Sequence, residues 1–266
     1  MVKFCDITGY MNEFCPRQLA FDGDNVGLIV GTDQKKVSKV LITLDVDEKV
    51  AVEAKNIGAD AIISHHPLMF RGTKRLTDAD PMERTLVSLI QNDISLFSAH
   101  TNLDCAKGGL NDYLAKKLGI KDTSVIEVVA NINGADQGFG RLGTVDDGIC
   151  LMDMLSRCTS VLPASFVKYV GDLQKPIKTV AVNCGGGADE IGICIQKGVD
   201  LFITGDVKYN PARDCMESGM ALIDAGHYET EFIVCELLLD KLSQKFPDVE
   251  FVISKENIPV FNVYHK

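Results

Sequence analysis

Short apolar runs that alternate with amphipathic segments restrict the fold of this chain of 266 residues more than any other feature. The run 37–44, VSKVLITL, is rich in β-branched residues and predicts a strand. The alternation continues with a helix over 47–57, a strand over 61–64, a helix over 81–92, a strand over 94–98 and a helix over 109–118. This order is typical of an α/β fold with a mainly parallel sheet that is covered on both faces.

The second half of the chain predicts another α/β unit. Two strand-like runs within 125–145 flank a Gly/Asn/Asp-rich stretch and indicate a hairpin or an extended connection. Further strands are predicted over 177–182, 200–203, 221–223, 249–254 and 258–263, and helices over 150–160, 188–197 and 211–218, with a long helix after 224–231. We therefore expect two interlinked α/β domains with mainly parallel sheets, one formed by 1–125 and 226–266 and the other by 126–225.

Composition excludes several classes of protein. The formal net charge of −10 argues against a broad nucleic-acid surface, which needs clustered Lys and Arg. No apolar run reaches the length of a membrane span, and the N-terminus does not resemble a signal peptide. The nine cysteines include no C-x-x-C pair, so we expect buried thiols in a reducing cytoplasm.

Three polar clusters follow predicted strands, and each contains at least one histidine. His65 and His66 come directly after strand 61–64, and Pro67 favours an extended conformation at His66. Adjacent residues on an extended chain point in opposite directions, which suits neighbouring metals, although a pair of hydrogen-bonded loop histidines is the alternative. His100 and Asp104 follow strand 94–98, where Asp104 offers a metal ligand or, alternatively, a helix cap.

The third cluster lies in the segment GHYETE. If a helix begins there, His227 and Glu231 are four residues apart and share one face, although an acidic residue near a helix start also has a purely structural explanation. The clusters together offer three nitrogen and two oxygen ligands: His65, His66, His227, Asp104 and Glu231. This mixed set favours zinc, iron or manganese over magnesium or calcium.

Other polar loops carry weaker signals. The glycines at 185–187 follow a strand and precede a helix, a position that suits anion binding, but they lack a phosphate-binding motif and a flexible turn is the alternative. In the loop before Lys208, Asp206 is equally consistent with a helix cap and with a residue that meets substrate. His265 is expected at the surface.

The sequence resembles the NIF-three-like family, whose bacterial members are often described as type 2 homologues of GTP cyclohydrolase I. The matching stretches are DNVGLIVG at 24–31, ITLDV at 42–46, GADAIISHHPLMF at 58–70, HTNLDCAKGGLNDYLA at 100–115, ITGDVKY at 203–209 and DAGHYETE at 224–231. They extend over nearly the whole chain.

The resemblance implies a dinuclear metal centre and a toroidal homohexamer. By position, His66 and Asp104 would hold one metal, His65 and His227 the other, and Glu231 would bridge both. Some relatives carry an additional domain in the middle, which this chain lacks to judge from its length. Asn210 stands where relatives often have His, which weakens a catalytic role for that position.

The resemblance also implies an activity, the ring-opening hydrolysis of GTP or a related nucleotide with release of formate. A metal-activated water would attack the ring carbon, and His100 is the candidate proton carrier. The alternative is a metal-binding scaffold or metal-trafficking protein without enzymatic activity, since a fold does not establish a substrate.

Overall fold

The structure is a computed structural model that describes residues 1–264. The chain divides into two compact units, the first comprising Met1–Leu103 together with the chain from Val234 onwards, and the second comprising Asp104–Ile233. The domain boundaries expected near 125 and 225 differ from these and remain a prediction. His265 lies outside the described residues.

The elements alternate along the chain as expected for an α/β protein. Within residues 1–264 the α-helices are α1 (Phe4–Phe14), α2 (Glu48–Ile57), α3 (Pro81–Gln91), α4 (Thr101–Cys105), α5 (Leu110–Lys117), α6 (Leu151–Val161), α7 (Ile191–Gln196), α8 (Tyr209–Ser218), α9 (His227–Glu231) and α10 (Val234–Lys245). The strands are β1 (Gly27–Val30), β2 (Lys39–Thr43), β3 (Ala61–Ser64), β4 (Ser95–Ser98), β5 (Lys121–Ile132), β6 (Ala135–Thr144), β7 (Lys168–Val170), β8 (Thr179–Val182), β9 (Leu201–Thr204), β10 (Ala221–Asp224) and β11 (Glu250–Ile253).

The sheet of the first unit has the strand order β1-β4-β3-β2-β11. Only β1 runs antiparallel to its neighbour; β4, β3, β2 and β11 pair in parallel. The register pairs Ser64 with Thr43 on one side and with Ser98 on the other, so three strands end level with one another. The residues that follow them emerge at the same edge, where open α/β sheets carry their ligand sites.

Helices α2 and α3 begin and end at residues suited to those positions. The Asp47 carboxylate accepts a hydrogen bond from the Val50 amide at 2.9 Å, and Gly58 ends α2 in the left-handed conformation with φ 69°. Asp80 caps α3, and Pro81 occupies its first turn. The buried residues of both helices pack with those of the sheet in one core, which includes Val50, Ala51, Ala54, Leu86, Leu89, Leu41, Ile62 and Leu96.

The sheet of the second unit has the order β5-β6-β8-β9-β10-β7. Strands β8, β9 and β10 pair in parallel, and the β5–β6 hairpin and β7 extend the sheet with antiparallel pairs. Asn133 and Gly134, with φ of 53° and 78°, make the turn that joins β5 to β6, as the Asn-Gly sequence favours. Between 120 and 177 the described chain forms only this hairpin, α6 and β7, which leaves no room for an additional domain.

The predicted α/β class with two sheets is confirmed. The second sheet, however, is mixed rather than mainly parallel, because the hairpin and β7 add antiparallel pairs. The strand expected over 258–263 is wrong: within the described residues this segment forms no strand. A short helix, α4, follows β4, and the GHYETE segment forms a separate helix, α9, before α10. Among the described residues no helix is both long and apolar enough to cross a membrane.

Candidate metal centre

The first cluster forms at the edge where β3 and β4 end. The amides of His65 and His66 donate to the carbonyls of Thr43 and Leu44, at 3.1 and 2.9 Å, so both residues are held beside the end of β2. The chain bends at these two residues, and their imidazole rings lie with their centroids 5.1 Å apart. The rings are therefore neighbours, which the sequence argument from an extended chain did not anticipate.

His100 completes this cluster within the first unit. Its ring centroid lies 5.2 Å from that of His65 and 5.3 Å from that of His66. One ring nitrogen of each of the three histidines lies within 4.8 Å of the others, which is close enough for a shared metal ion. The geometry thus allows His100 to be either a ligand or a neighbouring acid–base group.

The Nδ1 atoms of His65 and His66 already have acceptors. The Nδ1 atom of His65 lies 2.8 Å from the carbonyl oxygen of Ala99, and that of His66 lies 2.8 Å from Oδ1 of Asp45. A carbonyl oxygen only accepts, so Nδ1 of His65 carries the proton and Nε2 carries the lone pair. Metal-binding histidines are commonly held in this way by a carbonyl or carboxylate.

Asp24 holds His100 in the same manner. Both carboxylate oxygens lie 3.0 Å from Nδ1 of His100, and the Thr101 hydroxyl also donates to Asp24. Burial alone would raise the pKa of Asp24, but the hydrogen bonds from His100 and Thr101 outweigh it and lower the pKa to about 2. The carboxylate is therefore ionised near neutral pH and acts only as an acceptor.

Within the second unit, α9 brings His227 and Glu231 together. Nε2 of His227 lies 3.0 Å from Oε2 of Glu231, and Nδ1 lies 2.8 Å from Oδ2 of Asp206. The hydrogen bond to Glu231 raises the pKa of His227, burial opposes it, and the remaining attraction to both carboxylates brings the pKa to about 9. A divalent cation between Nε2 and the carboxylate would take the place of that proton.

The glycine loop gives room to this pair. Gly185 has φ 62°, and any side chain there would collide with Oε1 of Glu231 and come close to Nε2 of His227. The Gly185 amide donates to the hydroxyl of Thr230 at 2.9 Å, which fixes the loop against α9. The loop is thus a wall of the site, and the turn expected there is present at 184–186.

Asp104 lies in a buried polar network of the second unit. The Cys184 thiol donates to Oδ1 of Asp104 at 3.4 Å, and the Asn111 amide donates to the Asp104 carbonyl at 3.2 Å. Burial raises the pKa of Cys184, and the nearby carboxylates of Asp104 and Glu231 raise it further, so the thiol stays protonated as a donor. Asp104 is part of α4 and does not cap α5, whose first turn follows Gly109.

Several functional residues escaped the sequence reasoning. Asp24, Asp45 and Asp206 were not singled out as partners of histidines, although each is an acidic residue inside one of the matched stretches. Asp206 does not cap α8, whose N-cap is Lys208 without a side-chain hydrogen bond. Cys184, a buried thiol, contacts the candidate ligand Asp104, and the sequence did not single it out.

Imidazole nitrogens and carboxylate oxygens are the donors that zinc, iron and manganese accept together. The Nδ1 partners and the space kept by Gly185 are the features that such ions need around these donors. The residues present therefore fit divalent metal ions.

Comparisons with known proteins point to one family. The family model described as Duf34/NIF3 (NGG1p interacting factor 3) matches residues 2–259. A Clostridium perfringens protein named GTP cyclohydrolase 1 type 2 homolog is 38% identical over 261 residues, which cover 96% of this chain and 97% of that protein.

Solved structures agree with this match. The structure of a Staphylococcus aureus hypothetical protein is 30% identical with a TM-score of 0.89, covering 98% of this chain and 99% of that one. The structure of a Bacillus cereus protein related to NIF3 has a TM-score of 0.91 at 24% identity and covers 99% of this chain and 100% of that one. The latter likeness concerns the fold alone.

Proposed function

The chain belongs to the Duf34/NIF3 family, and from that premise we propose that it is a metal-dependent hydrolase with a dinuclear centre. The proposed ligands are His65, His66, Asp104, His227 and Glu231. As the resemblance implies, His66 and Asp104 serve one ion, His65 and His227 the other, and Glu231 both. Zinc, iron and manganese are the candidate metals.

The observation that carries this proposal is that the Nδ1 atom of each proposed histidine ligand has a hydrogen-bond acceptor. Ala99, Asp45 and Asp206 each place an oxygen 2.8 Å from Nδ1 of a proposed histidine ligand. Such acceptors orient the ring and make Nε2 a better donor to a metal. Loop histidines with no ligand to hold would not need the same arrangement at every position.

The proposed chemistry is hydrolytic. When bound, the ions supply Lewis acidity and lower the pKa of a coordinated water. His100 is the proton carrier: Asp24, ionised above pH of about 2, accepts from Nδ1, which leaves Nε2 as the atom that takes up and returns a proton. Glu231 and His227 hold the metal rather than the proton, because metal binding displaces the proton that they share.

The proposed substrate is GTP or a related nucleotide. Relatives carry the name GTP cyclohydrolase 1 type 2 homolog, and for this chain the corresponding reaction is hydrolysis of the carbon–nitrogen bonds of the purine imidazole ring. Each cleavage consumes a water, and the ring carbon leaves as formate. We further propose the toroidal homohexamer and the cytoplasmic location expected from the sequence; light scattering that reports a single chain mass would contradict the hexamer.

The test is metal-dependent turnover of a nucleotide panel. Freshly purified protein, stripped of metal and then supplied with zinc, iron or manganese under anaerobic conditions, is incubated with each nucleotide while formate and purine absorbance are followed together. We expect both signals to change with GTP only after metal is restored. If metal-loaded protein leaves the whole panel unchanged, the enzymatic proposal fails and the metal-binding scaffold is the better account.

A further inference from the structure

The segment that follows the first histidine cluster has an unusual charge for this chain. The protein carries a formal net charge of −10, yet no acidic residue occurs between Asp60 and Asp78. The same stretch contains Arg71, Lys74 and Arg75. Positive charge is thus concentrated in the part of the sequence that leads away from His65 and His66.

Phe70 joins this segment, residues 67–77 and hereafter the Phe70 loop, to the cluster. Its ring centroid lies 5.8 Å from that of His100 in an edge-to-face arrangement, with an interplanar angle of 76°. Nevertheless, 61% of the residue is exposed. An exposed aromatic ring beside candidate reaction groups offers a planar apolar surface to a ligand.

The Phe70 loop is held in place at both ends. The Asn25 amide donates to the Met69 carbonyl at 2.8 Å, and the hydroxyl of Thr73 donates to Oε1 of Glu83 at 3.2 Å. The amide of Thr77 donates to the other oxygen of Glu83 at 3.0 Å. These contacts tie the loop to α3 and to the segment that precedes β1, so its side chains extend from an anchored backbone.

The cations of the loop remain available to an anion. Arg71, Lys74 and Arg75 are exposed, and within residues 1–264 neither Arg71 nor Lys74 forms an ion pair with a carboxylate. Arg75 contributes to the lowered pKa of Glu83, so part of its charge is already offset. Arg71 and Lys74 are therefore the groups best placed to bind phosphate.

We propose that the Phe70 loop binds nucleoside phosphates, with the Phe70 ring stacked on the base and Arg71 and Lys74 on the phosphates. This assignment rests on the proposed function only in placing the base beside His100. The loop combines what such a ligand requires, a π surface for any base and a local positive charge that offsets the repulsion of an acidic protein.

Isothermal titration calorimetry measures the affinity of the full-length, metal-loaded protein for GTP, guanosine and inorganic triphosphate, and so tests the proposed binding role of the loop. Arg71→Ala and Lys74→Ala should each weaken GTP and triphosphate binding severalfold, more at low salt than at high salt, with guanosine unaffected. Phe70→Ala should weaken the binding of GTP and guanosine by about fivefold or more and leave the binding of triphosphate unchanged. Arg71→Lys should retain most of the affinity that Arg71→Ala loses.

Matched controls come from exposed residues elsewhere. Lys55→Ala removes an exposed cation from α2, and Phe261→Ala removes a phenylalanine that is 85% exposed. Loop variants that bind GTP like these controls would overturn the proposal, as would wild-type protein that binds none of the three probes. If the loop variants turn over GTP with an unchanged KM, the loop proposal fails and the hydrolase proposal stands. If the variants selectively lose binding and the wild type shows no turnover, the loop proposal is supported and the hydrolase proposal fails.

Discussion

The side chains that accept hydrogen bonds from the histidines orient the imidazole rings that are proposed to bind metal. His66 and His227 each present Nδ1 to a carboxylate oxygen at 2.8 Å, from Asp45 and Asp206. The sequence could indicate the histidines, because they follow predicted strands. It could not indicate their partners, because Asp45 and Asp206 are each 21 residues away from the histidine they contact, and the pairing depends on the folded backbone.

Removing a partner carboxylate should weaken metal binding without removing a ligand. We expect Asp45→Asn and Asp206→Asn each to lower metal affinity by about 10- to 100-fold, because the imidazole loses its orientation and part of its basicity. Competition with a metal-sensitive chelator dye measures the change. Asp248→Asn, at an exposed turn, is the charge-matched control; affinities equal to that control would show that the two carboxylates do not support ligands.

A substitution at His100 distinguishes its two possible roles, metal ligand and proton carrier. If it carries the proton, His100→Gln should slow turnover by about 100-fold or more and leave the metal content nearly unchanged. Metal analysis and the formate assay on the same preparation measure both quantities. Loss of metal in this variant would make His100 a ligand, which the 4.8 Å grouping with His65 and His66 also permits.

The pKa of His227 predicts how the metal-free protein responds to pH. The pair with Glu231 raises the folded-state pKa from 6.5 to about 9, so the protonated ring stabilises the fold fully below the ordinary value. That contribution is lost as pH rises through about 9. The urea midpoint of metal-free protein should fall between about pH 7 and about pH 9.5, and it should fall less in His227→Gln. The same fall in both proteins would refute the assignment.

At the scale of elements, local signals identified most of the helices and strands. Asp47 caps the start of α2 and Gly58 ends it, Pro81 begins α3, and Asn133-Gly134 forms the turn of the hairpin. Each of these residues favours the local conformation found there. The strand expected over 258–263 failed because alternating apolar residues need a neighbouring strand to pair with. Pro259 also removes an amide donor from that segment.

The core between α3 and the first sheet can be tested with adjacent residues of one helix. Leu89 is fully buried and Ile90 is 54% exposed. We expect Leu89→Ala to reduce the free energy of unfolding by about 2–5 kcal/mol, because it removes buried methyl groups and leaves a cavity. Ile90→Ala should reduce the free energy of unfolding by about 1 kcal/mol or less. Denaturant unfolding of both variants measures the difference, and equal losses would contradict the packing described for α3.

At the scale of the whole molecule, the chain is an α/β protein of two units, and the proposed chemistry depends on its polar clusters. Sequence reasoning reached the fold class because the alternation of strands and helices repeats along both halves. It could not reach the actual activity, because family membership and fold leave the substrate open. The number of metal ions per chain is therefore the property on which the proposed function depends first.

Metal content tests the central claim most directly. Protein produced without a metal-binding tag is stripped with chelator, supplied anaerobically with zinc, iron or manganese, and freed of loose metal by gel filtration before elemental analysis. We expect about two ions per chain for at least one of these metals, as in other dinuclear hydrolytic centres. Correctly folded protein that retains none of the three metals above the buffer background would contradict the claim.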